Sequence, residues 1–333
     1  MTINIYGTGR SGTKAVQLYV TLGLMAIQEP HRLRLNYEPY LYAQRSLRVH
    51  DPVGMHYLVN EPHLANDPAQ FSDAHRAYLQ QLCYAPPHES TVTKFIRATG
   101  RLSAINAICQ PKGNLLIIRH LSHVLESAKR KGFDFFSLGK TFKYDYWSTF
   151  CAEFAEDPIL EEVATWGVAS TSIVYRNAIY WYVTNRYALN NLPANTHIIE
   201  FDHIGNQLPY ALRTMGIAIP ADFPAVAEPL FTGNNIHSDY PLTDVGMPNS
   251  RAVHFINKAL YFGSRANWPP AFYLPVHRGS YVTRNPVVPP TALIREDRPA
   301  HPIRSGFSPS ERNLIDYLDQ RLFQQLASLS TTK

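Results

Sequence analysis

The chain has 333 residues, 45% of them hydrophobic and 17% charged, which supplies a sizeable core and excludes a disordered polyelectrolyte. Its formal charge of +5 comes from Lys and Arg scattered among acids and aromatics, with none of the basic tails or dense runs that mark nucleic-acid-binding segments. A basic balance of this size suits a site for a nucleotide carrying several phosphate or sulfate groups.

Cys83, Cys109 and Cys151 lie far apart and lack CxxC spacing or ligand-spaced histidines, so neither a zinc site nor a disulfide framework is expected, and no bound metal. The longest apolar stretch, Leu18 to Ile27, contains Thr21 and Gly23 and reaches about half the length of a membrane span. With no signal-like segment before Ile3, the expected location is the cytoplasm.

In chain order, Ile3 to Tyr6 reads as a strand and Lys14 to Gln28 as a buried helix. Leu35 to Glu38 ends a second strand, Val92 to Ile96 and Leu115 to Ile118 read as two more, and Arg101 to Cys109 as a helix between them. Strand–helix alternation predicts an α/β fold, a parallel sheet flanked by helices. Residues 133–187 are dense in aromatics, and His197 to Phe201 resembles another strand. From about 218 to 310 prolines and glycines multiply and periodicity fades, as in long loops or a lid. A signed helix closes the chain: Ser308 as N-cap, Pro309 at the first position, Glu311 completing a capping box, then Leu314, Ile315, Leu318, Leu322 and Leu326 on one face. No repeat divides the chain, and residues 1–333 are expected to form one domain.

The chemistry-bearing motif is Gly7-Thr8-Gly9-Arg10-Ser11-Gly12-Thr13-Lys14, between the first strand and the first helix. Such a loop gathers backbone N–H groups and a helix N-terminus around one point, and glycines let the main chain approach an anion. A Walker A loop requires Gly-Lys-Ser/Thr at its end; here Thr13 stands between Gly12 and Lys14. Gly7, Gly9 and Gly12 also fit the dinucleotide-binding spacing.

Arg10-Ser11-Gly12-Thr13 resembles the 5′-phosphosulfate-binding loop of sulfotransferases that use 3′-phosphoadenosine 5′-phosphosulfate (PAPS), a family with a P-loop-like fold. Arg119, closing a strand, and Ser127, eight residues on, resemble the family's 3′-phosphate signature. In place of the Asp-Pro-Arg that commonly follows that arginine stand His120, Leu121 and Ser122. Val92 to Arg97 is similar to the strand and basic residue preceding that signature, and Ile198 to Ile217 to the later strand, acidic turn and short helix. Arg304-Ser305-Gly306 resembles a C-terminal 3′-phosphate contact of some members.

The resemblance implies that Gly9, Arg10, Ser11, Gly12, Thr13, Lys14, Arg119 and Ser127 bind PAPS and its product adenosine 3′,5′-bisphosphate, with Arg10 and Lys14 stabilising the leaving phosphate. It also implies a carboxylate base at Glu38, in Leu35-Asn36-Tyr37-Glu38-Pro39; His56 is the alternative base. Burial in an apolar pocket would raise the pKa of Glu38 toward neutrality. The expected acceptor is a hydroxyl or amine of a small molecule, natural product or carbohydrate. A nucleotide kinase or other NTPase, and a non-catalytic nucleotide or carbohydrate binder on the same fold, are the competing readings.

Overall fold

The computed structural model describes residues 1–25, 33–38, 60–130, 132–136, 146–217 and 306–331. His56, Arg304, Ser305 and most of the proposed lid lie outside the described residues. Five strands, β1 (Thr2–Tyr6), β2 (Leu33–Glu38), β3 (Ser90–Phe95), β4 (Gly113–Ile118) and β5 (Thr196–Glu200), form one parallel sheet in the order β2-β3-β1-β4-β5. Helices α1 (Thr13–Met25), α2 (Asp73–Cys83), α3 (Leu102–Cys109), α4 (Leu121–Arg130), α5 (Tyr146–Ala152), α6 (Pro158–Ala164), α7 (Ile173–Asn190), α8 (Ile204–Thr214) and α9 (Pro309–Thr331) accompany it.

The strands are apolar on consecutive residues because both faces of a parallel sheet are covered. Leu115, Leu116, Ile117 and Ile118 of β4 are all buried. Tyr6, Phe95, Leu116 and Ile118 join one core cluster with side chains of α2, α3, α4, α5, α7 and α9. On the other face, Gln17 of α1 donates to the carbonyls of Asn36 and Val92 at 3.0 and 3.1 Å, and Met215, just past α8, lies against Gly113. The result is a three-layer arrangement, helix on sheet on helix.

Two elements show why local sequence succeeds or fails here. For α9, Glu311 N–H donates to Ser308 Oγ at 3.2 Å and Ser308 N–H to Glu311 Oε2 at 2.7 Å, the expected capping box, and all five predicted apolar residues are buried. For α7, burial runs all round, from Tyr175 through Ala178, Ile179, Tyr180, Trp181 and Tyr182 to Leu189. A helix buried on every side carries no amphipathic stripe, so the aromatic segment showed no helical period. Cys83 and Cys109, distant in sequence, come close together at the ends of α2 and α3, where Cys83 Sγ donates to Asn4 Oδ1 at 3.6 Å and Cys109 Sγ to the Leu79 carbonyl at 3.4 Å.

Because α9 docks on α7 and α4, Leu318→Ala is expected to lose about 2–5 kcal/mol and Ser308→Ala about 1 kcal/mol in urea denaturation. A Leu318→Ala loss below about 1 kcal/mol would contradict the docking of α9.

Candidate anion-binding site

Strand order fixes where a ligand can sit. The chain leaves β1 through α1 on one face of the sheet, whereas it leaves the neighbouring β4 through α4 on the other. The two connections diverge at the carboxyl ends of β1 and β4, the switch point at which open α/β sheets bind ligands.

The loop after β1 lies at that switch point. Ser11 N–H donates to the Thr8 carbonyl at 3.1 Å, Thr8 and Ser11 hydroxyls lie 2.8 Å apart, and Val16 N–H donates to the Gly12 carbonyl as the first bond of α1. The amides of the first turn, Thr13 to Ala15, have no partner inside the helix, and that turn carries no acidic side chain. Lys14, its second residue, is half-buried. Arg10 sits at φ 73°, the left-handed region, which costs an L-residue other than glycine about 1–2 kcal/mol.

The residues expected to act together do converge. Arg10 Nε donates to Ser127 Oγ of α4 at 2.9 Å, and Arg119 Nη1, from the end of β4, donates to the Arg10 carbonyl at 3.2 Å. The Arg119 guanidinium also lies 4.5 Å from the centre of the Phe201 ring, which follows β5. Loop, strand end and helix therefore meet across 117 residues of sequence.

The glycines have a second purpose that the sequence did not disclose. A Cβ on Gly9 would stand 2.8 Å from the rings of Phe133 and Phe135, and one on Gly12, whose φ is +92°, would collide with Phe201. Close approach of aromatic rings requires glycine at both positions.

Glu38 occupies the carboxyl end of β2 in register with Phe95, which is in register with Tyr6 of β1. Its Cα is thus two strand spacings, about 10 Å, from the start of the loop. The residue is 0% exposed, and neither carboxylate oxygen has a hydrogen-bond partner among the described residues. Burial raises its pKa to about 7, against the opposing pull of Arg101 and Arg97.

Several residues that sequence reasoning missed surround it. Arg101 is fully buried and donates from Nε to the Pro62 carbonyl at 2.5 Å and from Nη2 to the Glu61 carbonyl at 2.7 Å. His63 lies 3.3 Å from the same guanidinium, and burial together with that cation holds its pKa well below the ordinary value. The Glu153 carboxylate accepts the N–H groups of His63 and Leu64 at 2.8 and 2.7 Å, pinning this segment. Arg97, placed by the sequence at the end of β3, bonds the Phe135 carbonyl and lies 5.7 Å from the centre of the Phe133 ring, between Glu38 and the loop at Gly9. The aromatic segment is largely core: Tyr180 is buried with its hydroxyl on the Arg97 carbonyl at 2.9 Å, and Trp147 and Trp166 pack against the same cluster.

Among the described residues no group of three or more His, Cys, Asp or Glu side chains could hold a metal ion, and no helix is long and apolar enough to cross a membrane. No protein-family model, no curated protein and no solved structure matches this chain.

Two outcomes follow from the packing and the buried acid. Gly9→Ala and Gly12→Ala should each lose about 1–3 kcal/mol in urea denaturation from overpacking; unchanged stability in both would refute the ring contacts. The folded protein holds the Glu38 proton up to about pH 7 against 4.5 for the ordinary carboxyl. Between those values the folded state binds more protons, so stability falls as pH rises through the window. Glu38→Gln should exceed wild type by about 3 kcal/mol above pH 7 and match it below about pH 4. Equal stability at pH 8 would show that Glu38 is not buried in this way.

Proposed function

We propose that the protein is a sulfotransferase that moves the sulfuryl group of PAPS to a hydroxyl or amine acceptor. The observation that carries this reading is the convergence of Arg10, Arg119 and Ser127 at the switch point, beside a helix N-terminus without acidic side chains. The Arg119 guanidinium bonds the Arg10 carbonyl and the Arg10 guanidinium bonds Ser127, so two cationic side chains serve one end of the sheet, where an anion is favoured. The strained Arg10 backbone belongs to the same logic, since sparsely populated conformations cluster at ligand clamps.

In this reading the loop 9–14 holds the 5′-phosphosulfate, and Arg119 with Ser127 holds the 3′-phosphate. Sulfuryl transfer, like phosphoryl transfer, depends on in-line positioning and on cations that take up charge at the leaving oxygens. Arg10 and Lys14 supply those cations on the leaving 5′-phosphate. Glu38 takes the acceptor proton as the acceptor oxygen or nitrogen bonds to sulfur; the sulfur–oxygen bond to the 5′-phosphate breaks, and its electron pair leaves on adenosine 3′,5′-bisphosphate. A carboxylate with a pKa near 7 is matched to that task at neutral pH.

Calorimetric titration tests the reading. Adenosine 3′,5′-bisphosphate should bind with micromolar affinity and better than ATP with Mg²⁺, and Arg10→Ala, Arg119→Ala and Ser127→Ala should each lose about 1–3 kcal/mol. Preference for ATP with Mg²⁺ would favour the kinase reading, and undiminished binding in all three variants would remove the site assignment.

A further inference from the structure

The residue after Arg119 ties the anion site to the far end of the chain. His120 Nδ1 lies 2.7 Å from Asp319 Oδ2 of α9, its Nε2 lies 3.7 Å from Asp202 Oδ2 in the turn after β5, and its ring stacks on Phe323 with centroids 4.1 Å apart. The other Asp319 oxygen accepts the N–H of Leu121, the first residue of α4, at 2.9 Å. One carboxylate therefore caps α4 and orients His120, both directly downstream of Arg119 and on the helix that carries Ser127.

Docking of α9 does not require this carboxylate. Leu314, Leu318, Leu322 and Leu326 already bury an apolar stripe, and a carboxylate set into such an interface is unfavourable unless it is paired. Its two partners account for its presence, and both belong to the joint that presents Arg119.

We infer that Asp319 and His120 are positioning residues for Arg119, through which the C-terminal helix holds the anion site in its binding arrangement and couples anion affinity to the charge on His120. This rests on the reading that Arg10, Arg119 and Ser127 bind the anionic groups of a nucleotide.

The groups facing His120 are Asp319 from α9, Glu200 and Asp202 from the end of β5 and the turn after it, and Arg119 and His123 from its own segment. The Asp319 hydrogen bond raises the His120 pKa; burial opposes it, and the charges of Asp319, Asp202 and Glu200 add to the rise. Burial and Arg119 lower that of His123, so the two rings, 6.0 Å apart, do not charge together. A raised histidine pKa means that the charged pair is complete at pH values up to the ordinary 6.5 and is lost as pH rises through the folded value above it. Anion affinity should fall over that same window.

The test is titration of the full chain with adenosine 3′,5′-bisphosphate between pH 6.5 and 9. Wild type should bind more weakly as pH rises. Asp319→Asn and His120→Gln should bind roughly 5- to 20-fold more weakly at neutral pH and lose the pH dependence, and Asp319→Glu should recover part of both. Second ionisation of the ligand phosphates, with a pKa near 6, is common to all variants and cancels in the comparison. Arg321→Ala, an exposed position on the same helix paired with Glu162, should bind as wild type does. Should Asp319→Asn fail to fold, His120→Gln leaves the cap on Leu121 intact and carries the test. Binding by wild type that is independent of pH, variants indistinguishable from wild type, or a loss equal at every pH would overturn the inference and leave the nucleotide site standing. Absence of bisphosphate binding by wild type would overturn both.

Discussion

Arg10 adopts a backbone conformation that an L-residue avoids, and contacts from two other elements hold it there. Its carbonyl accepts from Arg119 at the end of β4 and its side chain donates to Ser127 one helical stretch later. The carboxyl edge of the sheet is organised around this knot. Arg119 leans on Phe201, and Phe201 closes over Gly12, so the ends of β1, β4 and β5 are locked to one another through one loop. The Ser11 N–H bond to the Thr8 carbonyl closes the turn in which Arg10 takes its left-handed conformation, and the contacts of Arg119 and Ser127 tie that turn to β4 and α4.

Two chemically distinct regions flank the knot. On the β4–β5 side, carboxylates and imidazoles from strand end, turn and C-terminal helix interlock half in solvent, where charge responds to pH. On the β2–β3 side, Glu38, Arg97, Arg101 and His63 are buried among aromatic rings, where the charge of each depends on its neighbours. A low-dielectric pocket of that kind stabilises a protonated acid near neutral pH and strengthens any dipole aimed into it. The sheet thus places the Arg10–Arg119–Ser127 cluster and a dry acid along one carboxyl edge, two strand spacings, about 10 Å, apart.

How much of this was legible in the sequence depended on whether the signal was local. The strands of Ile3 to Tyr6, Val92 to Ile96 and Leu115 to Ile118 announce themselves as short apolar runs, and Ser308, Pro309 and Glu311 mark the last helix to the residue. Arg10, Arg119 and Ser127 were found as motif residues, yet their mutual hydrogen bonds depend on β1 and β4 being neighbours, which spacing alone does not state. The Cys83–Cys109 contact was hidden for the same reason. Helix α7 escaped because it is buried on nearly all sides, with Asn177, Thr184 and Asn185 among the buried residues, and so carries no apolar stripe. The departure at His120 looked like a defect in a signature; its partner Asp319 stands 199 residues away, so the sequence held no clue to their pairing.

The most direct test of the account is a crystal structure of the protein with adenosine 3′,5′-bisphosphate bound. The account predicts the 5′-phosphate on the amides of residues 9–14 beside Arg10, and the 3′-phosphate on Arg119 and Ser127. A nucleotide bound elsewhere, or one whose 3′-phosphate faces away from Arg119 and Ser127, would contradict it.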